Sequence, residues 1–345
     1  MRRLVTALLV LYALAVGAWL VARAIWGDQL LVLAFLNSLP TLPFLLAPVA
    51  LLLALVVRRP VAFVAALIPV ILWLAFFGWR FLPRGGSLEA GQPAVRVMAL
   101  NVLVSNDDID AMAAAITAEQ PDIVTLAELS STQDAALAAA IGDRYPYRTL
   151  RRLPRVNYGV GIYSRWPLQD LGSLQTGLGL RSAVADIATP HGVIRFVGIH
   201  LRSTGASGDT LAGLVEQLTE GFRGREAQIA AVCGYLDQWR ALSDASGDIP
   251  VIVAGDFNMG EFSDAYRCMG SRMTDAFKAV GRGYGFTWPA TDARLGQLAS
   301  RLVQTRIDYI FHSRHWRTVS AETLGRPTGS DHRAVVATMR LVIED

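Results

Sequence analysis

The first 85 residues of this 345-residue chain are almost wholly apolar, and no other feature narrows its fold so much. A helix needs about 20 mostly apolar residues to cross a bilayer. "LVTALLVLYALAVGAWLVA" (4–22) and "PVAFVAALIPVILWLAFFGW" (60–79) meet that length. Between them, residues 29–57 are also long enough, but Pro40, Pro43 and Pro48 interrupt them. The pattern predicts a short helix or turn up to Pro40 and a span over 41–57, hence about three transmembrane helices within 1–84. Arg2 and Arg3 precede the first span, and Arg58 and Arg59 separate the last two. Three spans put both pairs on one side, which arginine favours as the cytoplasm, so the rest of the chain would emerge outside. Arg80 and Arg84 oppose this mildly, and a re-entrant middle segment would reverse it. A signal peptide cleaved near Ala24 fits less well, because its apolar stretch is too long, and it would leave the same domain outside.

Residues 85–94 are a Gly/Ser/Pro linker, and a domain of 95–345 follows. The apolar region holds seven arginines and one aspartate of the chain's 32 basic and 29 acidic residues. The remaining 25 basic and 28 acidic residues give the downstream part a net charge of −3. The basic isoelectric point therefore belongs to the apolar region, and an extended basic track for nucleic acid is disfavoured. Cys233 and Cys268 lie in no CxxC or Cys/His pattern, which argues against zinc. They are either two separate buried thiols or a pair in an oxidising compartment.

Apolar runs suited to strands occur at 95–102, 122–129, 159–165, 183–188, 193–201, 251–256, 306–312 and 334–342. Helical spacing marks 109–120, 131–142 and 226–242. Many strands with helices between them predict an α/β domain, its sheets covered by helices. Residues 202–226 begin Gly/Ser-rich and then carry a stripe of Leu211, Leu214, Val215 and Leu218. A helix packed on the core is favoured for them over a lid facing the bilayer.

Polar residues recur at the ends of these runs. Asn101 ends "MALN", Glu128 ends "TLAE", His200 ends "VGIH", and Asp256 and Asn258 follow "VAG". Asp308 stands in "RID", and Asp331 and His332 precede the last run. Each alone is an ordinary turn or rim residue. Together they can converge on one sheet edge, where ligands bind. Several carboxylates without cysteine make an oxygen-ligand site for Mg²⁺ or Mn²⁺. The histidines and a further aspartate remain for proton handling and for stabilising a phosphoryl group.

In order, "LN", "LAEL", "IYSR", "GIHL", "GDFN", "RIDYIF" and "SDHRAV" resemble the endonuclease/exonuclease/phosphatase superfamily of DNase I-like nucleases, neutral sphingomyelinases and inositol phosphatases. The resemblance implies two packed β-sheets flanked by helices. It implies Glu128 as ligand of a divalent metal, Asn101 beside it and Asp331 assisting. It implies Asp256 activating water, Asn258 holding the phosphate, Asp308 orienting His332, and His200 contacting the phosphate or leaving oxygen. Tyr163, in "GVGIYSR", is read as structural. The apolar N-terminus is similar to that of membrane-anchored bacterial members, some of which are associated with glycopeptide resistance and act on polyprenyl pyrophosphate. The expectation is thus a membrane-anchored, metal-dependent phosphoesterase acting on a lipid-linked phosphate or pyrophosphate. An extracytoplasmic nuclease is the alternative, and a non-catalytic membrane scaffold ranks last because the full residue set is present.

Overall fold

The structure is a computed structural model that describes residues 1–88, 91–205, 210–246, 249–290 and 303–342. Residues 89–90 of the expected linker, 206–209 of the glycine-rich segment and 343–345 at the end of the expected domain lie outside those described.

Two six-stranded mixed sheets form the body. Sheet one runs β11 (Trp316–Thr323), β12 (Val335–Leu341), β1 (Ala94–Asn101), β2 (Ile123–Ser130), β4 (Tyr158–Ser164), β3 (Tyr147–Arg152). Sheet two runs β5 (Leu168–Gly172), β6 (Arg181–Thr189), β7 (Gly192–His200), β8 (Val251–Asp256), β10 (Asp308–His312), β9 (Thr274–Asp275). The central pairs β1–β2 and β7–β8 are parallel. A parallel pair needs a crossover, which α5 (Ile109–Glu119) and α7 (Leu211–Ser246) supply. Val95, Val97 and Ala99 point between the sheets, while Met98 and Leu100 pack beneath α5 and α6 (Ser131–Ile141). Strands buried on both faces read as continuous apolar runs, which is why the sequence reveals them.

The sheets flanked by helices are as expected. Strands β3, β5 and β11 were not legible, because each lies at or beside an edge and carries a polar, exposed face. Helix α7 corrects a second expectation. Its later turns pack Ile229, Val232 and Leu236 on sheet two, but Leu211 and Val215 in its first turns are exposed rather than core-packed. A disulfide joins Cys233 of α7 to Cys268 of α8 (Asp264–Gly270).

Two N-terminal helices are long and apolar enough to cross a membrane, at Arg2–Trp26 and Pro60–Phe81. The third expected span is a bent pair, Leu31–Ser38 and Leu42–Val57, broken by 78° around Pro40. Proline removes a backbone donor and restricts the residue before it, which ends the first piece there. Call these pieces α1 (Arg2–Trp26), α2 (Leu31–Ser38), α3 (Ala47–Val57) and α4 (Pro60–Phe77). Leu9 and Ala13 of α1 meet Ala54 of α3 and Ala62 of α4 at one end of the bundle. Val16 and Trp19 meet Phe44 and Phe77 at the other, where Phe262 of the sheet body joins them.

The bundle therefore docks on the loop after β8. The Asp28 and Asp264 backbone N–H groups donate to each other's carboxylates at 2.8 and 2.7 Å. Arg80 clamps Glu261 with both Nη atoms, at 2.9 and 2.5 Å. Gly260 has no room for a side chain, since a Cβ there would lie 2.6 Å from Ser38 Cα and carbonyl oxygen. That close approach explains the glycine two residues after Asn258.

Candidate active site

The strand ends bring the polar residues together. In register, His200 on β7 lies opposite Asp256 on β8, and Asp256 lies opposite Asp308 on β10. Gly255 makes this close: its φ is +138°, and a Cβ there would sit 2.1 Å from the Ile199 carbonyl oxygen. Two non-glycine residues of the site also hold left-handed backbones. Glu128, φ +59°, lies at a bulge in β2 that re-aims its side chain. Asn258, φ +49°, turns back so that its N–H donates to Asp256 Oδ1 at 2.8 Å. Such backbones cost of order 1–3 kcal/mol and persist only where surroundings enforce them. Here Nδ2 of Asn258 donates to the Leu201 carbonyl at 3.0 Å, and Arg225 donates to the Asn258 carbonyl.

Asn101 bridges the two sheets. Its Nδ2 donates to Asp256 Oδ2 at 2.9 Å and to Glu128 Oε1 at 3.1 Å, while its oxygen accepts from Leu103 N–H. Glu128 Oε2 accepts from Val104 N–H. His332 Nδ1 and Asp308 Oδ2 are 2.8 Å apart, and His332 Nε2 stands 4.0 Å from Asp256 Oδ2. His200 Nε2 lies 3.8 Å from both Glu128 and Asp256. Asp331 sits beside this group, its carboxylate accepting from Trp288 Nε1 at 3.4 Å. All eight predicted site residues thus share one end of the sandwich. Tyr163 does not join them; it donates to Asp134 beneath α6.

Electrostatics divides the two histidines. Burial, then Arg181 and His332, pushes His200 down to about 3, so it is neutral. Burial also opposes a charge on His332, but Asp308, then Asp256 and Asp331, push it up to about 10. Burial and the neighbouring Asp308 push Asp256 up to about 7, against His332 and the hydrogen bond from Asn101. One carboxylate is therefore poised near neutrality beside a fixed cation.

The donor set fits a hard divalent cation. It is rich in carboxylate oxygen, no cysteine approaches it, and Asp308 Oδ1 is buried without a protein partner. One atom each of Asp256, Asp308 and His332 lie within 4.8 Å of one another, but a cationic His332 has no lone pair to give, so the carboxylates are the donors.

Four residues here escaped sequence reasoning. Thr287 Oγ1 accepts the Ile307 and Asp308 N–H groups. Ser330 donates to the Asn101 carbonyl at 2.6 Å and accepts from His332 N–H, tying β1 to the histidine. Arg181 reaches His200 by strand register, and Arg225 comes from α7. Only Ser330, directly ahead of "DHR", carried a sequence signal.

The fold recurs in solved structures. An endonuclease/exonuclease/phosphatase from Beutenbergia cavernae is 23% identical, with a TM-score of 0.53 over 72% of each chain. A Bacteroides vulgatus endonuclease/exonuclease/phosphatase is 20% identical, with a TM-score of 0.54 over 73% of this chain and 100% of its own. Danio rerio TDP2, complexed with a single-strand DNA product, is 17% identical, with a TM-score of 0.52 over 72% of this chain and 99% of its own. At these identities the likeness speaks to fold alone. No curated protein matches the chain. The model of the endonuclease/exonuclease/phosphatase family matches residues 98–332, well over half of the sequence, so the chain belongs to that family.

Proposed function

We propose that this protein is a membrane-anchored, divalent-metal-dependent phosphoesterase whose substrate is a lipid-linked phosphate or pyrophosphate. One observation carries the reading: the catalytic strand ends and the apolar helices share the loop that follows Asn258. Chemistry and anchor are thereby held side by side.

Glu128, with Asn101 beside it and Asp331 adding negative charge, would hold Mg²⁺ or Mn²⁺. When bound, the ion supplies electrophilic polarisation of a phosphoryl oxygen. Asp256 is placed to take a proton from the attacking water, being a buried carboxylate poised near neutrality. Asn258 and Asn101 fix its two oxygens, so it has one orientation. His332, kept cationic by Asp308, stabilises charge that develops on the phosphoryl group. His200, neutral, offers Nε2 to the phosphate or the leaving oxygen.

The anchor reading extends to topology. Arg2–Arg3 and Arg58–Arg59 end up at the bundle end remote from the sheets, where Leu9 meets Ala54 and Ala62. That supports three crossings with the catalytic body outside the cytoplasm, and the Cys233–Cys268 disulfide suits such a compartment. An alkaline phosphatase fused after Asp345 should be active, and ordinary green fluorescent protein there should be dark. Cytoplasmic fluorescence would reverse the orientation.

Substrate is tested by assaying the full chain in detergent with Mg²⁺ against lipid pyrophosphates, lipid phosphodiesters and single-stranded DNA. Turnover of a lipid substrate, abolished by EDTA and by His332→Ala, is expected. Cleavage of DNA alone would establish the nuclease alternative, which the net −3 of the downstream region disfavours. No turnover of any phosphoester would reject the enzyme reading.

A further inference from the structure

An apolar cavity of about 450 Å³ lies where the helical bundle meets the sheet body. Leu51 of α3 and Val70 and Trp73 of α4 form its bundle side, and Phe286 and Gln304 its sheet side, with Thr41 at the top of the bundle. Its volume falls in the ordinary range for sites of small ligands. The polar side chains, Thr41 and Gln304, lie at the sheet end, and Leu51 stands ten residues down the chain from Thr41.

Short stretches of chain connect the cavity lining to the site residues. Phe286 lines the cavity, and the next residue, Thr287, accepts the Asp308 N–H. Gln304 lines the cavity four residues before Asp308, a separation of at most about 14 Å of extended chain. Arg333, which follows His332, donates to the Phe286 carbonyl at 3.4 Å, tying the histidine's segment to a residue of the cavity lining. Trp73 and Tyr284 close the wall with a hydrogen bond of 2.7 Å.

From this proximity we infer that the cavity receives the hydrocarbon chain of the substrate lipid while its phosphate occupies the catalytic cleft. The inference rests on the proposed phosphoesterase reading for the identity of the headgroup. It adds where the tail goes and which residues select for one. The cavity lies between helices that would border the bilayer, so a chain can enter from the lipid phase without crossing water.

The test uses the full chain in nanodiscs and an alkyl phosphate brominated near the end of its chain, whose bromine quenches nearby tryptophan. Trp73 is one of eight tryptophans, so its share is taken as the difference between wild type and Trp73→Phe. Saturable quenching of that share is expected, competed by unbrominated alkyl phosphate and at least about tenfold weaker for the uncharged alkyl alcohol. Val70→Phe, which fills the cavity from a partly exposed position, should weaken it about tenfold. The same variant should raise KM for a long-chain phosphoester and leave kcat/KM for a short, water-soluble one unchanged. Equal competition by the alcohol would make the cavity a general lipid site and overturn the inference, as would the absence of any Trp73-specific quenching. Binding without hydrolysis of any ester would leave the tail site standing and remove the enzyme reading. Hydrolysis of both esters with no effect of Val70→Phe would do the reverse.

Discussion

Two buried charge clusters lie within a few residues of each other along the chain, and they are built on opposite rules. At the docking junction, Glu261 and Asp275 face Arg80 and Arg306, two anions against two cations. Arg306 contacts both carboxylates at 2.6 to 2.9 Å, and Arg80 pairs with Glu261 in a two-pronged contact. Burial opposes the charge on Glu261, but Arg306 and Arg80 overcome it and hold the group down at about 2. In the candidate cleft, Asp256 and Asp308 flank His332 and Glu128 faces His200, and the guanidiniums of Arg181 and Arg225 stand behind His200 and Asn258. Asp308 Oδ1 and His200 Nδ1 are buried without protein partners, and Asp256 is pushed up rather than down. The closed network is structural: every charge meets an opposite one, with Arg80 Nε alone of its guanidinium nitrogens left unbonded. The open one carries spare hydrogen-bonding capacity, which a metal and a phosphate would use.

The sharpest way to break this contrast is to neutralise one member of each cluster. Asp256→Asn should lower kcat by about a thousandfold or more, the scale of losing a general base with its electrostatic role. Its melting temperature should stay the same or rise, because a like-charged buried carboxylate is relieved. A large fall in melting temperature would mean that the open cluster is structural after all. Glu261→Gln should do the opposite. It leaves Arg80 buried without its anion, which costs about 3–5 kcal/mol of stability. Turnover per folded molecule should remain within a few fold of wild type. Loss of turnover without loss of stability would place Glu261 in the chemistry.

A smaller effect sharpens the metal side of the comparison. Glu128→Gln should lower Mg²⁺-dependent turnover by about a hundredfold, and raised Mg²⁺ should recover part of it. Full activity in this variant or in EDTA would remove Glu128 from the metal site. The smallest effect concerns pH. Glu261 ionises at about 2 in the folded chain against an ordinary 4.5, so its contribution to stability is complete above 4.5 and lost as pH falls through about 2. The gap in melting temperature between wild type and Glu261→Gln should hold from about pH 7 to about pH 5 and narrow only below about 4.5. A gap that closes near neutral pH would show that the junction is not held by this carboxylate.

Particular residues show why one cluster was legible in the sequence and the other was not. Asp256, Asn258, Asp308 and His332 interrupt apolar strands at their ends, so a polar residue stands out against a run that burial explains. Glu261, Asp275, Arg80 and Arg306 sit in loops and helix ends where charge is ordinary. Their pairing joins Arg80 with Glu261, 181 residues apart, and Glu261 in turn with Arg306, 45 residues further on. The bend near Pro40 was readable from the proline. The course of α2 across the sheet body, pressed on Gly260, was not.

The sequence by itself determined the α/β class, the central strands, the apolar N-terminal helices and the eight polar residues at the strand ends. All of these depend on local periodicity, and on side chains whose chemistry contradicts their surroundings. Only the tertiary structure decided that His332 is the charged histidine and His200 the neutral one. Both stand near a strand end, and the difference comes from neighbours supplied by other strands: Asp308 for one, Arg181 for the other. It likewise decided that the apolar helices dock against the loop after β8 instead of hanging on a linker. That contact exists because Arg80 meets Glu261, Ser38 meets Gly260 and Asp28 meets Asp264, the first pair 181 and the last 236 residues apart, and long-range pairing of this kind leaves no period in a sequence.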